Sequence, residues 1–388
     1  MNRPDTDDWR DGRARPLGVY VHWPYCARIC PYCDFNIYKN RGVDEVRWRA
    51  AFERELAGWA QRAPDRRVTS IYFGGGTPSL APISVIAGVI DQCRSLWLVS
   101  DDAEITLEAN PTDAELSRLA DYKAAGVTRL SLGVQSLDDD ALAFLGRNHD
   151  AKSARRGIEA ALALFEFVNV DLIYARPGQS LTAWRRELAE VIDMGVRHIS
   201  AYQLTIEPGT AFDRAVVKNR WSPAGDDLCA DLYDLTQEIT AAAGLPAYEI
   251  SNHAAPGHES RHNLAYWRQQ DYAGAGAGAH GRLTFDNRRH AFVGAMRPED
   301  WLTSVEQSGF GAAQTECLSD DAMMIEKYAM GLRTTGGVEM TPAEAVRLGP
   351  AIEILAGDGV LQRRGMRLVA SENGRRILDA VLARLLAD

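Results

Sequence analysis

The stretch LGVYVHWPYCARICPYCDF, residues 17–35, sets a short apolar run directly before three closely spaced cysteines, Cys26, Cys30 and Cys33. The run LGVYV (17–21) reads as a buried strand. Cysteines this tightly grouped point to a metal site rather than to disulfides. Four thiolates would saturate a metal, as in structural zinc or a simple ferredoxin cluster. Three thiolates on a [4Fe–4S] cube leave one iron without a protein ligand, free to chelate a small molecule. A zinc site completed by another residue, such as His22, is the alternative.

Outward from this stretch, β-rich runs alternate with amphipathic helical text. The strand candidates are 17–21, VTSIYF (68–73), EITLEA (104–109), TRLSLGV (128–134), VNVDLIY (168–174) and HISAYQL (198–204). Segments such as 44–61 and 113–126 repeat their apolar residues at the helical period. Alternating β and α units call for a parallel sheet with right-handed crossovers, and six of them for a partial (β/α)6 barrel in an α/β chain. Each strand ends in a group suited to ligand chemistry. The first leads to the cysteines. The second ends in Gly75, Gly76 and Thr77, the third in Glu108, the fourth in Gln135; Asp171 lies in the fifth, and Gln203 closes the sixth. A glycine run alone is a turn and a lone Asp is usually solvated; their shared place at strand ends makes a site.

The barrel is expected over 17–255, after a flexible tail at 1–16 with neither a signal peptide's nor an anchor's apolar run. A linker is expected over 256–300 and a small, mainly helical, winged-helix-like domain over 301–388. The net charge of −10, from 43 basic and 53 acidic residues, comes without a basic stripe and argues against nucleic acid as partner. No apolar segment approaches the roughly 20 residues that span a bilayer, so a cytoplasmic protein is expected. Cys93, Cys229 and Cys317 stand apart and read as ordinary thiols.

The motifs YVHWPYCARICPYCDF, FGGGTPS, LEANP, GVQS, GRNHD, DLIYARPGQ and YQLTIEPGT together resemble the oxygen-independent coproporphyrinogen III oxidase family of radical S-adenosylmethionine (SAM) proteins, from about Leu17 to the C-terminus. The resemblance implies that Cys26, Cys30 and Cys33 hold a [4Fe–4S] cluster whose open iron chelates SAM, so that one electron can cleave the sulfonium C–S bond. It implies that Tyr20 and the Tyr32 backbone flank cluster and SAM. Gly75, Gly76 and Thr77 would hold the methionyl group, Arg147 its carboxylate, and Gln135 and Asp171 the ribose hydroxyls, with Glu108 and Gln203 as further polar contacts.

Two departures divide the family. Phe35 stands where the oxidases carry a fourth cysteine, and only 25 residues precede Cys26, fewer than the oxidases place there. Both features are similar to the HemW-type branch, described as haem chaperones, as is the HNxxYW motif His262-Asn263-Leu264-Ala265-Tyr266-Trp267. The branch implies a haem carrier without coproporphyrinogen oxidase activity, with haem and an unidentified haem-accepting apoprotein as partners. His262 would ligate the haem iron, with Tyr266 and Trp267 against the macrocycle. Read from the residues alone, a His followed by Tyr-Trp is more often a core cluster. His253, His258 and His280 are the neighbouring alternatives. The rival activities are oxidative decarboxylation of coproporphyrinogen III and radical SAM methyl transfer.

Overall fold

The computed structural model describes residues 14–39 and 42–387. The expected tail falls outside the described residues as far as position 13, and Arg15 and Pro16 already belong to the first strand. All six expected strands form. They are β1 (Arg15–Trp23), β2 (Arg66–Gly75), β3 (Leu98–Ala109), β4 (Arg129–Gln135), β5 (Phe167–Tyr174) and β6 (His198–Gln203). They lie side by side in chain order, each parallel to the next. The crossovers carry helices, among them α1 (Glu45–Arg62), α2 (Ile83–Leu96), α3 (Leu119–Ala124), α4 (Ala151–Leu164) and α5 (Leu181–Asp193). Sequential parallel strands joined through helices are the connectivity of a (β/α) barrel left open.

Alternation along each strand positions everything that follows. Side chains of a strand point to opposite faces in turn. Leu17, Val19 and Val21, Ile71 and Phe73, Leu130 and Leu132, and Val168, Val170 and Leu172 share one apolar core with the helices. In α1 that core receives Trp48, Phe52, Leu56 and Trp59 at helical spacing, behind an Asp44 cap that accepts from Arg47 N at 3.1 Å. The intervening residues face inward and are polar: Ser70 and Tyr72, Glu104 and Glu108, Ser131 and Gln135, Asn169 and Asp171. A β-rich run alternating in this way therefore buries its apolar half under helices and lines a polar interior with the rest.

The sheet extends beyond the barrel at both ends. β7 (Asn252–Ala254) pairs antiparallel with β6. Beyond β1 comes β8 (Asp271–Ala275), parallel, followed by antiparallel β9 (His280–Phe285), β10 (Arg288–Gly294) and β11 (Ala312–Cys317). The eleven strands run β11-β10-β9-β8-β1-β2-β3-β4-β5-β6-β7. This differs from the expected linker at 256–300, which instead supplies a helix, α6 (Arg261–Trp267), and three strands of the main sheet. The expected boundary at 301 moves as well. Helix α7 (Pro298–Ser308) sends Trp301, Leu302 and Val305 into the main core.

A second core begins in α8 (Asp320–Gly331). Tyr328 and Leu332 pack there with Leu348, Ile352 and Leu355 around α9 (Gly349–Gly357) and with Val381 and Leu385 of α10 (Leu378–Leu385). A small antiparallel sheet completes this unit: β12 (Val338–Glu339), β13 (Leu361–Arg364) and β14 (Arg367–Ala370), with β14 in the middle. Among the described residues no helix is long and apolar enough to cross a membrane.

Candidate functional site: a cavity at the strand ends

At the C-terminal ends of β1 to β6 lies a cavity of about 530 Å³. Cys26, Cys30 and Cys33 border it, and so do Tyr32, Gly75, Gly76, Thr77, Glu108, Gln135, Arg147, Asp171 and Gln203. Residues spread over nearly 180 positions of sequence thus meet in one space of a size typical for small-molecule sites.

The cysteine loop is held from several sides. Gly76 N donates to Trp23 O at 2.7 Å and Thr77 N to Tyr25 O at 3.0 Å, so the end of β2 grips the start of the loop. A Cβ at Gly76 would stand 2.8 Å from Tyr25 O, which explains the glycine as a close approach of two backbones. Phe212 N donates to Pro31 O at 2.9 Å, and Cys33 N to Cys30 O at 3.2 Å. All three cysteines are free thiols. Burial raises the Cys26 thiol above its ordinary range and takes Cys33 to about 11. The three thiols border one cavity together, a donor set that fits a [4Fe–4S] cluster with one iron left open to a ligand.

The rest of the lining is built of polar groups, some of whose buried atoms have no partner among the described residues. Gln135 closes β4 with φ of 66°, a left-handed conformation that costs a non-glycine residue free energy. Its buried Oε1 has no hydrogen-bond partner. Asp171 accepts from Asn169 Nδ2 at 2.8 Å and from Ser131 Oγ at 3.3 Å. Glu108 accepts from Tyr72 Oη at 2.8 Å. Both carboxyls sit at the bottom of the cavity, and desolvation there raises Glu108 to about 8 and Asp171 to about 6. Arg147 donates to Cys30 Sγ at 3.2 Å, to Gly133 O at 2.9 Å and to Asn110 Oδ1, while its buried Nε stays unpaired. An amide, a guanidinium and two carboxyls lining one cavity are complementary to a ligand bearing hydroxyl, amine and carboxylate groups.

Several placements differ from the sequence reading. Tyr20 does not reach the cavity; it lies beneath, its Oη 3.0 Å from His22 Nδ1 and its ring stacked on Tyr72. The HNxxYW motif forms α6 at the other end of the barrel interior. Its N-terminus is seated on Glu104, which accepts from the backbone N–H groups of Arg261 and His262, both at 3.1 Å, and from Arg129 Nε at 2.8 Å. His262 is 1% exposed. Both of its ring nitrogens are engaged, Nδ1 with Ser70 Oγ and Nε2 with Tyr266 Oη, each at 2.8 Å. Its ring stacks on Tyr72 at 4.9 Å. The imidazole expected to ligate haem iron is, as packed here, a core residue offering neither nitrogen. Burial holds its pKa down at about 3. Trp267 lies under the Arg333 guanidinium, 4.8 Å from its ring centre. Of the alternatives, His253 is buried and His258 is partly covered by Phe167, whereas His280 is exposed.

Residues that the sequence reading passed over also line the cavity. Asn110 bridges to Arg147, and Ile173, Tyr202 and Thr205 face the same space. Asn110 was within reach, since it stands in the LEANP motif two residues after Glu108.

Comparison with known proteins agrees with this architecture. The Radical SAM superfamily profile matches residues 20–192. The chain is 38% identical to the mitochondrial radical S-adenosyl methionine domain-containing protein 1 of Bos taurus, over 96% of this chain and 88% of that one. It is 37% identical to heme chaperone HemW of Mycobacterium tuberculosis, over 96% and 95%. The coproporphyrinogen III oxidase HemN structure from Escherichia coli superposes with a TM-score of 0.80, covering 96% of this chain and 90% of that one at 21% identity, a likeness of fold. A cysteine triad on the loop after β1, a six-strand open barrel and near full-length relatives place the chain in the radical SAM superfamily, in the family of the HemW heme chaperones.

Proposed function

We propose that this protein binds haem and hands it to an apoprotein, and that it carries a [4Fe–4S] cluster on Cys26, Cys30 and Cys33 with SAM beside it. The observation that carries the haem reading is the similarity to heme chaperone HemW, which spans 95% of that protein's length. The observation that carries the SAM reading is the convergence of Gly75, Gly76, Thr77, Glu108, Gln135, Arg147 and Asp171 with the three cysteines on one cavity. Bound there, SAM and the cluster would supply one-electron cleavage of a C–S bond.

The chain's own residues do the binding. Gln135 Oε1 and the Asp171 carboxylate accept from the two ribose hydroxyls. The Arg147 guanidinium donates to the methionyl carboxylate, and Thr77 and the Gly75–Gly76 backbone shape the space for the methionyl chain. Glu108, kept in place by Tyr72, accepts from an ammonium group. Tyr32 and Gln203 close the sides. Phe35, at the cavity rim, is 62% exposed; a phenyl ring there leaves the cluster with three thiolates on this loop and offers apolar surface at the mouth. The direct test is a hemin titration of the purified protein together with SAM titration of its reduced cluster. A saturable Soret band at about one equivalent and a SAM-dependent EPR change support the reading; absence of hemin binding removes its haem half.

A further inference from the structure

With His262 packed in the core, the question is which side chain can reach the iron of a bound haem. His280 is the one exposed histidine of this chain, and all eight histidines lie within the described residues. It opens β9 at the same end of the sheet as the cysteine loop. The pairing of Tyr272 with Arg282 sets His280 across from Gly274, and Gly274 in turn pairs with Tyr20 of β1. His280 therefore stands in the row of Tyr20, two strands away, with only a glycine between them. Among the described residues no hydrogen bond or ring contact engages its imidazole. The part burial that does reach it, and Arg282 on the same strand, lower its pKa, so the ring is neutral at neutral pH as a metal ligand must be.

The surroundings match a haem in chemistry and charge. Asn36 Nδ2 donates to Ala277 O at 2.9 Å and to Met296 O at 2.8 Å. Gly278 N donates to Ala295 O at 3.0 Å and Gly294 N to Ala279 O at 2.8 Å. Residues 277–280 and 294–296 therefore run side by side, and Asn36 ties both to the cysteine loop next to Phe35. Two large apolar side chains are left in water on this rim, Phe35 at 62% and Met296 at 52% exposure. Beside Met296 the exposed Arg297 guanidinium has no ion-pair partner among the described residues. A neutral imidazole, flat and flexible apolar surface, and an uncompensated cation are what an iron porphyrin with anionic carboxylates requires.

Resting on the haem reading above, we infer that haem docks on this rim beside the cluster loop, with His280 as its iron ligand, Phe35 and Met296 against the macrocycle and Arg297 on a propionate. In this arrangement α6 supports the barrel interior and does not hold the iron.

The test is hemin titration of the full-length protein and its variants, read by affinity and by the absorption and EPR signatures of nitrogen ligation. His280→Ala weakens hemin binding at least tenfold and removes the nitrogen-ligand signature. His280→Gly regains that signature when free imidazole is added, which loss of fold alone could not produce. Arg297→Ala weakens hemin several-fold and leaves hemin dimethyl ester, which lacks the carboxylates, unaffected. If the wild type binds hemin and His280→Ala keeps its affinity and spectrum, the site is wrong while the haem reading stands. Removal of the signature by His262→Ala, with His280→Ala unchanged, overturns it equally. A wild type that binds no hemin ends both readings.

Discussion

Replacing Asp171 by Asn preserves side-chain volume and removes one charge from the bottom of the cavity. The carboxyl accepts from Asn169 and Ser131, and burial lifts its pKa from 3.8 to about 6. Above that pH it is an anionic acceptor poised for a vicinal diol. Losing a charge-assisted hydrogen bond costs about 1.5–3 kcal/mol, or roughly 10- to 150-fold in affinity. The assay is SAM titration of the reduced cluster at pH 8, followed by EPR, with iron content measured in parallel. Iron content stays at the wild-type level, because Asp171 does not touch the cysteines. Wild-type affinity falls as pH drops below about 6, and the Asn variant lacks that dependence. Stability moves the other way. A carboxyl whose folded pKa lies above its unfolded value loses stability as pH rises between 3.8 and about 6, so the wild type at pH 8 has already lost it. The Asn variant escapes that loss and melts no lower than the wild type. An affinity within twofold of wild type, or iron lost along with SAM binding, would refute the reasoning.

The remaining predictions concern cluster, core and pH. Cys26→Ala, Cys30→Ala or Cys33→Ala abolishes reconstitution of about four irons per chain, while Cys93→Ala, Cys229→Ala and Cys317→Ala retain it; colorimetric iron and sulfide determination decides. His262→Ala strands Ser70 and Tyr266 in the interior and removes a stacked ring, so urea denaturation shows a loss of about 2–4 kcal/mol; a change under about 0.5 kcal/mol would contradict its place in the core. Glu55 is fully buried and accepts from Gly276 N, Gly311 N and Trp301 Nε1, each at 2.9 Å, and desolvation raises its pKa from 4.5 to about 7. Its folded pKa is raised, so wild-type stability declines as pH rises from 4.5 to about 7, by about 3 kcal/mol from this group. Glu55→Gln flattens that window in denaturation curves taken across it, and an unaltered slope there would dispose of the assignment.

Much of the barrel was legible because its strands obey one alternation. In β5, Val168, Val170 and Leu172 face the helices while Asn169 and Asp171 face the interior, and Glu108, Gln135 and Gln203 were legible from their place at strand ends, Gln203 despite sharing the parity of core-facing Ile199 and Ala201. The strands after residue 270 were missed for a physical reason. YAGAGAGAH has low strand propensity, yet it forms β8 and the turn beyond because neighbouring backbone leaves no room for larger residues: a Cβ at Gly276 would stand 2.3 Å from His22 O. A readable signal stood nearby. Asp286 and Asn287 both have positive φ, 49° and 59°, and join β9 to β10 in a two-residue hairpin of the kind Asp and Asn favour. The burial of His262 was not legible, since it depends on Ser70 and Tyr72, about 190 positions upstream. Residue chemistry alone favoured a core histidine, as found, and the motif resemblance pulled the reading towards a ligand. The Trp301 contact that moves the domain boundary is equally non-local, made with Trp48 and Phe52 of α1.

The most direct test of a haem carrier on a radical SAM scaffold is one anaerobic incubation. Cluster-reconstituted protein is supplied with SAM, dithionite and coproporphyrinogen III, a parallel sample receives hemin, and the tetrapyrroles are separated and identified. The account predicts hemin retained at about one equivalent per chain and coproporphyrinogen III recovered unchanged. Formation of protoporphyrinogen would contradict it.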